Sequence, residues 1–251
     1  MKLKTLARLI IVIFFVLSCS KNSEQIELKL SYDIGDKQTI TSTTETSKGT
    51  LMSIKNVMET DFEVTSIENN EITFKTRVNR IITEMKMDNE IEKYDSNKDI
   101  SSMTGEEKSM HSEYQDILDA KLNIIIDDKG KVTKSFHHDD GNLFNEPVVD
   151  IRHYFLSFPD NKVGVGSIWQ NENTNPITNQ KTKSTYKIED ITNKEIIISI
   201  DLKIAGMPGL LGDNSATGHY VLNRASCKLI KGALEMDLQT GGSVTNSYIS
   251  M

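Results

Sequence analysis

The feature that most restricts the fold of this chain is an alternation of apolar and polar residues with a period of two. It is clear in IELKLSYDIG (26–35), where Ile26, Leu28 and Leu30 are separated by polar residues. Such alternation is typical of β-strands that bury one face. Because the alternating runs are interrupted by turn residues, the sequence predicts a mainly β (α+β) protein with antiparallel sheets.

One predicted hairpin occurs twice along the chain. The segment DFEVTSIENNEITFKTRVNRI (61–81) aligns without a gap on TYKIEDITNKEIIISIDLKIA (185–205), and each has an Asn followed two residues later by Glu at its turn. Each is preceded by a similar lead in which Gly follows an apolar residue, YDIGDKQTI (32–40) and VGVGSIWQN (163–171). Strand sequences are degenerate and two hairpins can agree by coincidence, but the shared turn favours a duplication. We therefore expect a curved or half-barrel body of two related β lobes, 27–145 and 146–251.

Two segments depart from the β pattern. Thr104 and Glu107 have the spacing of a capping box and predict a helix near 105–119. Pro147 and Pro159 enclose apolar residues at helical spacing, which predicts a second helix near 147–157. A hairpin turning at 127–130 lies between the two helices, and the stretch from Gly218 onward predicts three further strands.

The N-terminus has the pattern of an export signal. Lys2, Lys4 and Arg8 precede the apolar run of residues 9–17, which is too short to span a bilayer. The following VLSC resembles the lipobox of bacterial lipoproteins, with a small residue before the cysteine. We therefore predict a signal peptide at 1–18, lipidation of Cys19 and a tether at 19–26; the alternative is an ordinary secretory signal with an incidental cysteine.

Lipidation of Cys19 leaves Cys227 without a disulfide partner, and we expect Cys227 to be a buried side chain on a strand. The tether has Ser20 and no Asp after Cys19, which favours the outer membrane of a bacterial cell envelope, on its periplasmic face. The formal net charge is −7, and loss of the basic signal makes it more negative. Such a charge argues against nucleic-acid binding and against electrostatic docking on anionic lipid.

The segment SFHHDDGN (135–142) contains metal-ligand residue types. Adjacent side chains on an extended segment point to opposite faces, so His137 and His138 cannot easily share one ion, although His111 and His153 can approach in three dimensions. A polar loop is the favoured interpretation. The sequence gives no nucleophile elbow and no phosphate-binding loop, and we predict no catalytic residues, no metal site and no cofactor.

Two features suggest contact with an apolar ligand. The glycine-rich segment 204–220 contains Met207, Leu210 and Leu211, which in a loop can adapt to variable shapes. Trp169 is the single tryptophan and follows a pair of glycines. The alternatives are that the loop folds its apolar residues onto the sheet and that Trp169 is a core residue.

These motifs together resemble an uncharacterised family of β-rich lipoproteins from Bacteroidota-type bacteria. The resemblance rests on the LSC lipobox, LKLSYDIGDKQTI, the two hairpins, IIIDDKGKVTKSF and FPDNKVGVGSIWQN, in that order. The sequence departs at NRASCKLIKG (223–232), where such families place a turn with Gly. The resemblance implies a lipid anchor at Cys19 and no catalytic residue. The architecture also looks like the half-barrel of Lol-pathway lipoprotein carriers, a likeness of fold alone.

The sequence therefore predicts a lipid-anchored envelope protein without enzymatic activity that binds an apolar ligand or a protein partner. The alternative is a structural or assembly lipoprotein that uses its sheet edges for protein contacts and has no ligand cavity. A hydrolase with a dispersed site is a third hypothesis, for which no pair of carboxylates stands out.

Overall fold

Strands make up most of the described residues of the protein. The computed structural model describes residues 24–48, 51–88, 90–137, 154–174, 181–205, 214–238 and 243–250. A short 3-10 helix at Ile100–Ser102 precedes one α-helix, α1 (Gly105–Asp119). The twelve strands within these described ranges are β1 (Lys37–Lys48), β2 (Met52–Glu68), β3 (Glu71–Met87), β4 (Glu90–Asp95), β5 (Lys121–Asp127), β6 (Val132–His137), β7 (Ile168–Thr174), β8 (Lys181–Ile191), β9 (Glu195–Ala205), β10 (Asn214–Asn223), β11 (Leu229–Leu238) and β12 (Ser243–Ser250).

The strands form one antiparallel sheet with the order β6-β5-β3-β2-β1-β12-β11-β10-β9-β8-β7, and β4 pairs with the second half of β3. Within the described residues β6 and β7 are the two ends of this order, so the sheet is curved but not closed. The first and last strands of the chain pair with each other, with Thr44 opposite Ser247. This pairing joins the two predicted lobes into a single continuous sheet and confirms the β-rich, curved fold class.

The two hairpins predicted as copies share their register. Val64 of β2 lies opposite Phe74 of β3, and Ile188 of β8 lies opposite Ile198 of β9. The register shifts by one residue directly after Val64 in the first hairpin and directly after Ile188 in the second. A bulge at the same aligned position bends both hairpins in the same way. The gapless sequence alignment is therefore also a structural alignment.

The glycine turns that lead into the copies are equivalent as well. Gly35 and Gly166 have φ of +90° and +86°, a conformation that glycine adopts without a steric penalty. Gly35 donates its backbone N–H to the carbonyl of Val64, and Gly166 donates to that of Ile188, both at 2.8 Å. Each turn is thus attached to the bulged position of its own hairpin, so the duplication includes the leads.

A third pair of equivalent turns connects β5 to β6 and β10 to β11. The second turn lies in NRASCKLIKG (223–232), the segment that has no Gly where the similar family places a turn with Gly. Gly130 in the first turn has φ of +81°, and Cys227 holds the corresponding place in the second with φ of +53°. Cys227 is buried, at 3% exposure, as the sequence predicted. The prediction that it lies on a strand is wrong, because it occupies a left-handed turn position where glycine is favoured. Burial raises the pKa of its thiol.

The hydrophobic core lies at the end of the sheet where these turns meet. Two irregular segments, 24–34 and 154–163, lie against one face of the sheet, which we call the core face, and Ile26 and Val163 exchange two backbone hydrogen bonds of 2.8 Å. Aromatic side chains from sheet and segments meet edge to face, as Phe62 does with Tyr154 and Phe155. The buried core includes Leu28, Leu30, Ile40, Phe62, Phe74, Ile124, Tyr154, Leu156, Phe158, Ile198 and Leu222.

The second predicted helix, near 147–157, lies mostly outside the described residues. Where its last part is described, at 155–157, the chain is not helical, so the prediction is wrong there. The reason is the burial pattern: Tyr154, Phe155 and Leu156 are consecutive buried residues, whereas a surface helix buries only one face. The backbone N–H of Phe158 donates instead to the carbonyl of Lys129, at 2.8 Å.

Helix α1 agrees with its prediction. The Thr104 hydroxyl accepts from the backbone N–H of Glu107, and the Glu107 carboxylate accepts from the backbone N–H of Thr104, which completes the capping box. The helix covers the second half of β3 and β4, where it adds half-buried side chains to a small separate cluster around Val78 and Tyr94. This cluster lies beyond the main core.

Candidate functional site

The core face continues well beyond the packed core, and there it is lined by hydroxyl groups. Side chains on a strand alternate between faces, so Ser42, Thr44 and Thr46 of β1 share the face of the buried Ile40. On β12, Thr245 and Ser247 share the face of the buried Ile249. We call these five residues the hydroxyl ladder.

The hydroxyl ladder follows directly from the pairing of β1 with β12. The Oγ atoms of Thr44 and Ser247 are 3.5 Å apart, and those of Thr46 and Thr245 are 3.1 Å apart. The Tyr154 hydroxyl donates to Ser42 Oγ at 3.2 Å and marks where the core ends. All five residues are half-buried. Each hydroxyl has more than one hydrogen-bonding position, so the ladder can bind further polar groups.

Apolar side chains flank the hydroxyl ladder on both sides. On β2, Met58 lies opposite Ser42 and Ile54 lies opposite Thr46. On β11, Leu234 and Met236 lie opposite Ser247 and Thr245. These four apolar side chains are all half-buried. The surface is therefore amphipathic: a polar stripe two strands wide has apolar side chains on both sides, with the polar Asn56 between those of β2.

One buried hydroxyl beside this surface has no partner. Thr60 lies opposite Ile40, next to the start of the ladder, with an exposure of 2%, and its Oγ1 makes no hydrogen bond. A buried polar atom without a partner costs about 1–3 kcal/mol of stability. Further along β2, Asn56 accepts a hydrogen bond from the buried Thr83, whose hydroxyl is also 3.3 Å from that of Tyr114 on helix α1. The helix thus borders the amphipathic surface beside β2 and β3.

Trp169 has two partners inside the protein. Its ring stacks on Tyr186 with centroids 5.2 Å apart, and its indole N–H donates to the Ser157 carbonyl at 2.8 Å. Because one ring face and the indole N–H have these partners, Trp169 links segment 154–163 to β7 and β8, and its side chain is half-buried. The other residues predicted to contact a ligand, Met207, Leu210 and Leu211, lie outside the described residues, as does Cys19.

The predicted polar loop at 135–142 lies mostly outside the described residues too, as does His153. His111 is on α1, where its Nδ1 is 3.0 Å from the Tyr94 hydroxyl. Across the described part of the chain, no three His, Cys, Asp or Glu side chains are grouped so that they could hold a metal ion. The same part of the chain contains no helix with the length and apolar character to cross a bilayer.

Two cavities differ in place and character. A void of about 10 Å³ lies inside the core between Tyr154, Leu222 and Cys227, and this void has no room for a ligand. An open groove of about 520 Å³ lies over β7–β10 and is lined mainly by outward-facing polar residues such as Lys187, Asp201 and His219. Beside it the Glu189 carboxylate accepts from Ser199 and Lys187, which lowers the pKa of Glu189.

The hydroxyl ladder is the feature that sequence reasoning missed. The signal is present as two runs rich in Ser and Thr, TITSTTETS and SVTNSYIS, at opposite ends of the chain. In TITSTTETS hydroxyl residues occupy both faces of the strand, so the sequence does not reveal which of them share the core face. No protein-family model matches the chain, and no curated protein matches it either.

Proposed function

We propose that the protein is a lipid-anchored protein of the bacterial cell envelope that binds an amphiphilic ligand, without catalysis, on the surface around the hydroxyl ladder. The ligand class is a molecule with an apolar body and hydrogen-bonding groups along one side. The observation that carries this proposal is the half-buried stripe of Ser42, Thr44, Thr46, Thr245 and Ser247 between apolar residues of β2 and β11.

The chemistry of this surface supports binding rather than reaction. The residues that lie opposite the ladder in register, namely Met58, Asn56, Ile54, Leu234 and Met236, carry no ionisable group. General acid–base catalysis requires a titratable group in contact with the substrate. Hydroxyls and thioethers can instead hold a ligand by hydrogen bonds and by adaptable apolar contact.

The anchor is part of the same proposal. The lipobox before Cys19 supports attachment of diacylglycerol through the cysteine thiol, and the protein would then act beside a membrane in which amphiphiles are available. Replacement of Cys19 by Ala should abolish incorporation of a radiolabelled fatty acid, and persistent labelling would disprove the anchor.

The binding proposal is tested on residues 20–251 with a dansyl-labelled lysophospholipid as the fluorescent probe. Met236 lies on the core face beside the ladder, and its exposed neighbour Glu235 points to the opposite face. Met236→Gln should weaken probe binding about tenfold, because it replaces an apolar contact worth about 1.5 kcal/mol by an amide of similar size. Glu235→Gln is the matched control and should bind as the wild type does. Equal affinities for the two variants would contradict the proposed site.

A second pair of variants tests the hydroxyl groups themselves. Thr44→Val keeps the shape and strand preference of the side chain but removes its hydroxyl from the ladder. Thr43→Val makes the same change on the opposite face, where Thr43 lies between Tyr248 and Val57. We expect only Thr44→Val to weaken binding of the probe.

A second candidate function is assembly through the sheet edges. β6 and β7 terminate the strand order in the described residues, and an edge strand offers backbone N–H and C=O groups to another chain. Light scattering over a range of protein concentrations tests this function, which requires a concentration-dependent mass.

A further inference from the structure

The described chain begins at one of the two ends of the sheet, which we call the turn end. The turn end carries the four hairpin turns at 69–70, 128–130, 192–194 and 224–227, together with both glycine turns. The described chain begins at this end: Glu24 forms an ion pair with Arg224 of the β10–β11 turn, and Ile26 is paired with Val163. The opposite end carries the β1–β2 and β3–β4 connections.

The duplicated glycine turns expose one apolar side chain each. Ile34 precedes Gly35 and is 67% exposed, and Val165 precedes Gly166 and is 51% exposed. The turns have the same internal hydrogen bond, from Asp36 to the carbonyl of Asp33 and from Ser167 to that of Gly164, both 3.0 Å. Repetition of the turn therefore repeats an exposed β-branched residue at its tip.

Three lysines at the turn end are paired with carboxylates. Lys228 contacts Asp36 at 2.7 Å, Lys29 contacts Asp128 at 2.8 Å and Lys129 contacts Glu27 at 2.9 Å. Because these pairs neutralise each other, the turn end is not a basic surface that would attract anionic lipid. Its exposed apolar tips are instead suited to an uncharged or zwitterionic interface.

We propose that the turn end faces the bilayer and that Ile34 and Val165 contact its zwitterionic interface. This inference rests on the proposed attachment through Cys19. Cys19 is five residue steps before Glu24, and five steps of extended chain span at most about 17 Å. The strand β2 is 17 residues long, so the opposite end lies about 50 Å away along the sheet. A tether of that length holds the turn end close to the membrane and leaves the opposite end distant.

Both ends of the sheet have an exposed apolar side chain, so exposure does not distinguish them. The opposite end can therefore serve as a matched control for the turn end. Leu51, in the β1–β2 connection, is 68% exposed, almost the same as Ile34. If apolar exposure decided the orientation, the two residues would be equivalent. The proposed attachment breaks this equivalence, because the described chain begins at the turn end, which carries Ile34, and not at the end that carries Leu51.

The test uses the chain from residue 19 onward, coupled through the Cys19 thiol to a maleimide-bearing phospholipid in phosphatidylcholine vesicles that contain brominated lipid as quencher. Single tryptophans are introduced by Ile34→Trp, Val165→Trp and Leu51→Trp, and the wild type measures the emission of Trp169. Emission added at positions 34 and 165 should fall about twofold or more on attachment, because tryptophan at a bilayer interface lies at headgroup depth. Emission added at position 51 should not change.

Equal quenching at all three positions, quenching at position 51 alone, or no quenching in protein that is attached to the vesicles would overturn this inference. Chemical coupling supplies the anchor, so these outcomes do not depend on natural lipidation. Fatty-acid labelling of Cys19 in cells tests the anchor separately, and probe binding tests the ligand surface. The proposed function and the orientation can therefore fail independently.

Discussion

Substitution of Gly130 tests most directly whether the β5–β6 turn packs against segment 154–158 in the core. It has φ of +81°, and a Cβ built on it would lie 2.1 Å from the carbonyl oxygen of Leu156 and 3.1 Å from the carbonyl carbon. Gly130→Ala thus combines two penalties. A left-handed conformation costs an L-residue about 1–2 kcal/mol, and forcing an extra methyl group against packed structure costs about 1–3 kcal/mol.

The contact that a methyl group would disturb is backbone against backbone. The Phe158 N–H donates to the Lys129 carbonyl, so segment 154–158 cannot move away from the turn without losing this hydrogen bond. We therefore expect Gly130→Ala to lower the free energy of unfolding by about 2–5 kcal/mol in total.

Urea unfolding of residues 20–251, followed by circular dichroism, measures this loss. Gly35→Ala is the matched control, because Gly35 has φ of +90° and no atom lies within 4 Å of its built Cβ. It should lose only about 1–2 kcal/mol, from the backbone conformation alone. If the two variants lose the same stability, the β5–β6 turn does not pack against segment 154–158 as described, and this reasoning is refuted.

Three further predictions concern stability and are checked by the same unfolding measurement. Thr60→Val should stabilise the free protein by about 1 kcal/mol, because it removes a buried hydroxyl that has no partner. Cys227→Gly should not destabilise it, because relief of the left-handed conformation, worth about 1 kcal/mol, offsets the lost thiol contacts; a loss above about 2 kcal/mol would contradict this. Arg80 donates two hydrogen bonds to Asp95 and lowers the pKa of that carboxyl below its ordinary 3.8. The stability from this pair is therefore present above pH about 4 and lost as the pH falls through the lowered pKa, and Asp95→Asn should remove that part of the acid dependence.

Local sequence signals predicted the local structure well. The Thr104–Glu107 pair predicted where α1 begins, and the aligned hairpins at 61–81 and 185–205 predicted both strand pairings. The structure adds a bulge at the same aligned position in each hairpin. These signals succeed because a cap or a hairpin turn is determined by residues a few positions apart.

The candidate site could not be predicted in the same way. It depends on the pairing of β1 with β12, whose facing residues Thr44 and Ser247 are 203 positions apart. Period-two alternation shows that a strand exists but does not identify its partner or its buried face when both faces carry hydroxyls. The helix predicted near 147–157 failed at its last residues for a related reason. Tyr154, Phe155 and Leu156 are consecutive residues enclosed by distant parts of the chain, and the helical spacing of apolar residues between Pro147 and Pro159 gives no sign of this burial.

The central claim is that the core face around the hydroxyl ladder binds an amphiphile, and native mass spectrometry tests it most directly. Residues 20–251 are exported into a bacterial envelope and purified without detergent. The wild type and the variants Met236→Gln and Glu235→Gln are then measured by native electrospray mass spectrometry. We expect an added mass on the wild type, identified as an amphiphile by extraction, that is retained in Glu235→Gln and reduced in Met236→Gln. An unliganded mass in all three, or an added mass that Met236→Gln does not affect, would contradict it.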